Sequence, residues 1–391
     1  MPAYHAMGRV PPKRHMVFRD EQDNLLYEEI FGAEGFSGVY SIIYHHQLPA
    51  ASIENTIIRS LAVEIAPPAA HRHRHVKTKG LESGGDPIGG RRVLLFNNDV
   101  RIATCAPTEP MLDAHGQPFF YKNGTNDELL FIHEGSGLLE TNLGDLSFRT
   151  GDYVYVPRGV IHRITFAGNA GRMLIVEASG QIDIPRKYRN SFGQLLEHAP
   201  YWERDFRRPE RLQTINQAGR FEVQLKLDDM LYGWVVGHHP FDVVGWDGLL
   251  YPWAFNIHDY EPHAGRFHVP PTTHQTFEGP NFVVCSFVPR QIDWDPLAVP
   301  IPYFHSNLDS DEVMYYAAGN YAARRGIEIG SITLHPRGIP HGPQAGAMEA
   351  SLSAPRVTNE LAVMVDTFRP LQMTTLMDQI DDPAYSKSWA R

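Results

Sequence analysis

Hydrophobic positions along the chain recur at every second residue, in short runs closed by glycine or proline. That is the pattern of half-buried strands rather than of helices. Leu129–His133, Leu138–Thr141, Leu146–Phe148, Tyr153–Val156, Arg163–Phe166 and Met173–Glu177 make one closely spaced set. Asn281–Val288, Glu312–Tyr316, Ile329–Leu334 and Leu361–Val365 make a second. Few windows longer than about 12 residues escape Gly and Pro. One that does, Arg220–Tyr232, still reads as a strand, because Phe221, Val223, Leu225 and Leu227 alternate with polar residues. Each set predicts one compact antiparallel barrel.

The two sets share an internal repeat. The first carries Glu128 and Gly135, then Gly151, Pro157, Gly159 and His162; the second carries Glu312 and Gly319, then Gly330, Pro336, Gly338 and His341. From Glu to the first Gly is seven positions in both, and from the second Gly to Pro, Gly and His the offsets are six, eight and eleven in both. With 33 Gly, 30 Pro and 20 His in 391 residues, roughly 0.01 chance occurrences of G-x5-P-x-G-x2-H are expected, and two are present. The glycines permit tight turns, and the Pro-x-Gly step fixes the entry to a strand whose His points inward. These residues resemble the two characteristic motifs of the cupin superfamily. The resemblance implies a mainly β fold with two cupin-type double-stranded β-barrels, a bicupin.

Composition narrows the class. A chain of 391 residues exceeds one small core, and two domains are expected: 1–250, with a metal-free barrel whose core is about 95–180, and 251–391, with the second barrel. The 35 Lys and Arg against 45 Asp and Glu give a net charge of −10, which opposes binding to nucleic acid or to an anionic bilayer. Two cysteines, Cys105 and Cys285, exclude a disulfide framework. No run approaches the apolar length of a membrane span, and Met1–Val10 lacks an apolar leader core, so a cytoplasmic location is expected.

Candidate chemistry lies in the second barrel. His305 stands seven residues before Glu312, so His305, Glu312 and His341 offer two imidazoles and one carboxylate. That donor set suits a non-haem Fe(II) site with three positions left for substrate and O2. In the first barrel the same step back from Glu128 reaches Tyr121, and a ligand is missing. Glu128 and His162 are therefore expected to be a buried hydrogen-bonded pair. His71-Arg-His73-Arg-His75, beside Pro67-Pro68, reads as a solvated loop. His45-His46 and His238-His239 would face opposite ways on a strand and cannot share an ion.

Further segments resemble homogentisate 1,2-dioxygenases over most of the chain. They are Val10-Pro-Pro-Lys-Arg-His15, Gly35-Phe-Ser-Gly-Val-Tyr-Ser41, Tyr188-Arg-Asn-Ser-Phe-Gly-Gln194, Pro240-Phe-Asp-Val-Val-Gly-Trp-Asp-Gly248, Pro302-Tyr-Phe-His-Ser-Asn307 and Pro340-His-Gly-Pro343. The resemblance implies Fe(II)-dependent conversion of homogentisate and O2 to maleylacetoacetate, in tyrosine and phenylalanine catabolism, by a trimer or hexamer. It makes His305, Glu312 and His341 the metal ligands and His268 the acid/base, with His274 as its rival. It has Tyr321 and His335 contact the substrate, and Tyr303, two residues before His305 and so on the same face of a strand, is expected to reach it too. A cupin dioxygenase for gentisate or another hydroquinone, and a non-catalytic bicupin binding protein, are the alternatives.

Overall fold

The computed structural model describes residues 3–81, 83–321, 324 and 326–390. Among them the only α-helices are the five-residue Ala347–Ser351 and Thr375–Gln379. The fold is mainly β and contains two cupin-type barrels. The first is built from two facing sheets. One runs in the order Phe206–Arg207, Trp253–Asn256, Asp152–Val156, Asp127–Glu134, Arg172–Ala178, Val100–Cys105, Arg92–Phe96 and Gln372–Met373. The other runs Leu146–Phe148, Gly137–Thr141, His162–Phe166, Phe120–Asn123, Ala218–Leu227, Met230–His238 and Glu54–Ser60. The second barrel's main sheet is Gln275–Gly279, Phe282–Phe287, Leu361–Thr367, Asp311–Ala318, Ile332–His335 and Arg74–Val76.

The repeat marks equivalent corners of the two barrels. Gly151 and Gly330 adopt φ of 88° and 85°, and Gly159 and Gly338 adopt 87° and 76°. Left-handed backbone is nearly free of cost only for glycine, so the shared spacing reproduces shared turns. The window Arg220–Tyr232 is a strand as far as Leu227. It then turns through Asp228 at φ 52° into the antiparallel strand Met230–His238.

The barrels are not separable at residue 250. Trp253–Asn256 pairs with Asp152–Val156 inside the first barrel's sheet, so that sheet extends past such a boundary. Gln372–Met373 adds to the first barrel's far edge, while Arg74–Val76 completes the second. Between the barrels lies one continuous apolar core, in which Tyr153 meets Phe277 edge-on at 5.4 Å and Trp253 meets Phe277 at 5.2 Å. Phe277 is fully buried, and its removal alone would cost about 3–5 kcal/mol. The hydroxyls of Tyr153 and Ser286 join across the same seam at 2.8 Å.

A smaller sheet of His5–Gly8, Val243–Gly248, Tyr40–His45 and Tyr27–Gly32 packs alongside. His45 and His46 do part company there. His45 Nδ1 sits 2.9 Å from Asp242 Oδ1 and its Nε2 3.0 Å from Glu29 Oε2, whereas His46 approaches Asp20 at 3.7 Å. Burial would lower the His45 pKa, but hydrogen bonds to Asp242 and Glu29 outweigh it and raise it to about 9. A group that holds its proton more tightly when folded stabilises fully below its unfolded pKa, near 6.5, and loses that contribution as pH rises through about 9. The thermal midpoint should therefore fall between about pH 6.5 and pH 9.5, and His45→Gln should flatten that stretch of the profile. Calorimetry at stepped pH checks this; equal slopes in both proteins would contradict it.

Candidate metal centre

Glu312 is the second residue of the strand Asp311–Ala318, which lies between two neighbours in the sheet. Cross-strand register sets it opposite His335 on one side and Asp366 on the other. Pro300 and Pro302 have no N–H to give to a ladder, and His305 follows them outside any strand. His305 is held instead by a single bridge to His341, with backbone bonds of 2.9 Å in both directions. Thus two loops and one strand bring together side chains from three places in sequence.

The result is compact. One donor atom each from His305, Glu312 and His341 lies within 4.8 Å of the other two, the only such group of three or more among the described residues. His341 Nε2 is 3.1 Å, and His305 Nε2 3.6 Å, from Glu312 Oε2. Glu312 and His341 are buried, while the His305 side chain is 35% exposed, which gives the cluster one open side. Burial alone would push the Glu312 carboxyl up. The neighbouring imidazoles of His305, His335 and His341 override this and hold it well below the ordinary carboxylate range. Asp366 moves the other way, pushed well up by burial and then by the Glu312 charge.

The other expected residues separate into two groups. On the open side, the ring of Tyr303 lies 6.3 Å from that of His305 and 4.9 Å from that of His268. His268 Nδ1 is 3.5 Å from Asp293 Oδ2, a partner that nothing in the local sequence signals. His274 is buried and stacked on Phe287 at 4.4 Å, its pKa lowered to about 3 by burial, then by Arg290 and His268. Tyr321 and His335 are both bonded to protein partners. The Tyr321 hydroxyl donates to the carbonyls of Ala318, at 2.7 Å, and Leu361. His335 is fully buried, with Nδ1 2.6 Å from Glu312 Oε1 and Nε2 3.1 Å from the Tyr385 hydroxyl.

The His71–His75 stretch is not a solvated loop. Its last part enters the strand Arg74–Val76 beside Ile332–His335, and His73, Arg74 and His75 are buried. His73 packs edge-on to His335 at 5.5 Å and to His341 at 6.1 Å. Arg74 is neutralised by Asp381 at 2.6 Å and Asp378 at 3.2 Å, the countercharge that its burial requires. The strict alternation of His and Arg, a period of two, was the strand signal.

The first barrel places a side-chain cation where the second gathers imidazoles. Arg91 grips Glu128 with both arms, at 2.7 and 2.9 Å, and reaches Glu177 at 3.1 Å. Asn123 donates to the same carboxylate at 2.8 Å and Tyr121 at 3.2 Å. Burial would raise the Glu128 pKa, but Arg91 lowers it to about 2. Glu128 and His162 are therefore not the hydrogen-bonded pair expected from sequence. His162 Nδ1 bonds the Val160 carbonyl at 3.1 Å, and its buried Nε2 has no partner among the described residues.

Comparison with known proteins gives the chain a family. The family model described as Homogentisate 1,2-dioxygenase N-terminal matches residues 111–257, and that described as Homogentisate 1,2-dioxygenase C-terminal matches residues 267–391. A protein of Saccharolobus solfataricus named as a dioxygenase is 38% identical over 99% of this chain and 98% of its own. Homogentisate 1,2-dioxygenase of Rhizobium etli is 26% identical over 74% of this chain and 68% of its own. A solved cupin 2 conserved barrel domain protein from Leptotrichia buccalis is 10% identical, covering 79% of this chain and 99% of that one at a TM-score of 0.33.

Removing Arg91 should expose how firmly the first barrel depends on its internal cation. Arg91→Met leaves Glu128 and Glu177 buried with Lys226, bonded to Glu177, as their remaining cationic partner among the described residues, and breaking such a pair costs about 3–5 kcal/mol. Urea denaturation should show that loss. A change under about 1 kcal/mol would mean that the carboxylates find other compensation.

Proposed function

Because the chain belongs to the homogentisate 1,2-dioxygenase family, we propose that it is an Fe(II)-dependent dioxygenase cleaving the ring of a para-diphenol, with homogentisate as substrate and maleylacetoacetate as product. The observation that carries this reading is the approach of one donor atom each from His305, Glu312 and His341 to within 4.8 Å of one another. Two imidazoles and a carboxylate on one face are the donor set of oxygen-activating ferrous sites, so the residues present fit the ion. They would hold it through His305 Nε2, His341 Nε2 and Glu312 Oε2. Bound there, Fe(II) supplies the electron-transfer route between a spin-paired phenol and triplet O2, whose direct reaction is slow.

The chain's own side chains then have distinct tasks. Tyr303 and His268, on the open side, would flank the diphenol ring. Asp293 beside His268 Nδ1 favours a proton on that nitrogen and leaves Nε2 free to accept one from a substrate hydroxyl. His274 is the weaker candidate for this role, since it is buried against Phe287. His335 and Tyr321, engaged elsewhere, are left out of substrate contact. That vacancy in the expected contact set favours a second reading at the level of substrate: gentisate or another hydroquinone in place of homogentisate. The proposal includes a cytoplasmic homo-oligomer, trimer or hexamer. Exposed Trp294, Leu297, Phe304 and Leu308 along the stretch leading to the open side support assembly.

The protein loaded anaerobically with Fe(II) should consume one O2 per homogentisate at an oxygen electrode. Uptake with gentisate but not homogentisate would move the substrate and keep the chemistry; no uptake with any diphenol would end the reading. Metal analysis should show that Glu312→Ala loses iron and Glu128→Ala, where folded, retains it. Equal loss in both would overturn the one-barrel assignment. His268→Gln should retain iron and lower kcat about 100-fold or more. An unchanged kcat would transfer the proton-accepting role to another group.

A further inference from the structure

Behind Glu312 two buried hydrogen bonds run in line and end on a group that can only accept. The Tyr385 hydroxyl is 3.1 Å from His335 Nε2, and His335 Nδ1 is 2.6 Å from Glu312 Oε1. Tyr385 and His335 are both buried, so bulk water offers no substitute partners.

An ionised carboxylate has no donor, while a tyrosine hydroxyl and a neutral imidazole each have one proton to give. With the carboxylate end fixed, one arrangement satisfies both links: His335 Nδ1–H donates to Glu312, and Tyr385 donates to His335 Nε2. Both protons point the same way, and aligned bonds of this kind polarise one another.

Resting on the reading of His305, Glu312 and His341 as the ion-holding set, we propose that Tyr385 is a positioning residue: its hydroxyl fixes His335 as the Nδ1–H tautomer, which engages Glu312 Oε1 and leaves Oε2 to the ion. Without that hydroxyl, His335 Nε2 becomes a buried acceptor with no donor, and the ring gains by moving its proton there. Nδ1 then faces Oε1 with a lone pair, and the carboxylate loses the bond that sets its orientation. The short turn Tyr385–Lys387 carries the residue. Trp389, which donates to the Gly342 carbonyl at 3.1 Å, packs edge-on to Tyr385 at 5.3 Å and holds the turn in place.

Co(II), a non-oxidising stand-in for Fe(II), reports the effect through its visible absorption. Tyr385→Phe keeps the ring and should bind Co(II) about 10- to 100-fold more weakly than the unsubstituted protein. In a His335→Asn background, where an amide donates toward Oε1 and no ring nitrogen faces Tyr385, the same substitution should have no further effect. Unchanged affinity on Tyr385→Phe, or an equal loss in both backgrounds, overturns the proposal, because packing alone would act in both. Should the unsubstituted protein bind no Co(II), the metal reading itself falls. Histidine 15N shifts of the metal-free unsubstituted protein then decide the relay without any variant: Nδ1–H at His335 supports it, and Nε2–H overturns it.

Discussion

A carboxylate buried in a β-barrel is the constraint on which this molecule turns. An ionised group removed from water costs several kcal/mol unless its surroundings return equivalent interactions. At Glu312 those surroundings are three histidines. His335 takes one oxygen from the buried side, and His305 and His341 approach the other from the open side. None of these three partners is a fixed cation, and an uncompensated buried carboxylate is the electrostatic condition for holding a divalent cation. At Glu128 the same strand position is compensated by the Arg91 guanidinium, with Lys226 balancing Glu177. One ancestral corner thus has two outcomes: a fixed internal cation in the first barrel and room for an exchangeable one in the second.

The site also depends on segments far from it in sequence. Arg74–Val76 supplies the edge strand beside Ile332–His335, and Asp381 and Asp378 neutralise Arg74. His73 and Trp389 close against the buried faces of the histidines, with ring centroids 4.7 Å apart. Precise placement of ligands needs supporting side chains whose own rotamers are locked. Here the rigid apolar seam around Phe277 joins both barrels into one body, so the first barrel contributes stiffness to a site it does not line.

Much of this was legible in sequence. Alternation located the strands around Glu128 and Glu312, and the repeat offsets identified equivalent turns because positive φ restricts those positions to glycine. The same offsets placed Glu312 and His341 on neighbouring elements, where the structure has them converge with His305. What stayed hidden was long-range compensation. Arg91 meeting Glu128, Asp293 meeting His268 and Asp381 meeting Arg74 are pairings with no local pattern, since any exposed-looking charge can be buried once its partner arrives from elsewhere. The bond of His335 to Glu312 was hidden for a related reason. The residue's spacing says that it lies near Glu312 but not which side of the carboxylate it occupies.

The most direct test of the central claim is X-ray absorption at the iron edge of the anaerobically Fe(II)-loaded protein, compared with its Glu312→Ala variant. The account predicts one iron per chain in a shell of nitrogen and oxygen with the multiple scattering of two imidazoles, and no such iron in the variant. A spectrum showing thiolate ligation, or the same two-imidazole shell surviving in Glu312→Ala, would contradict it.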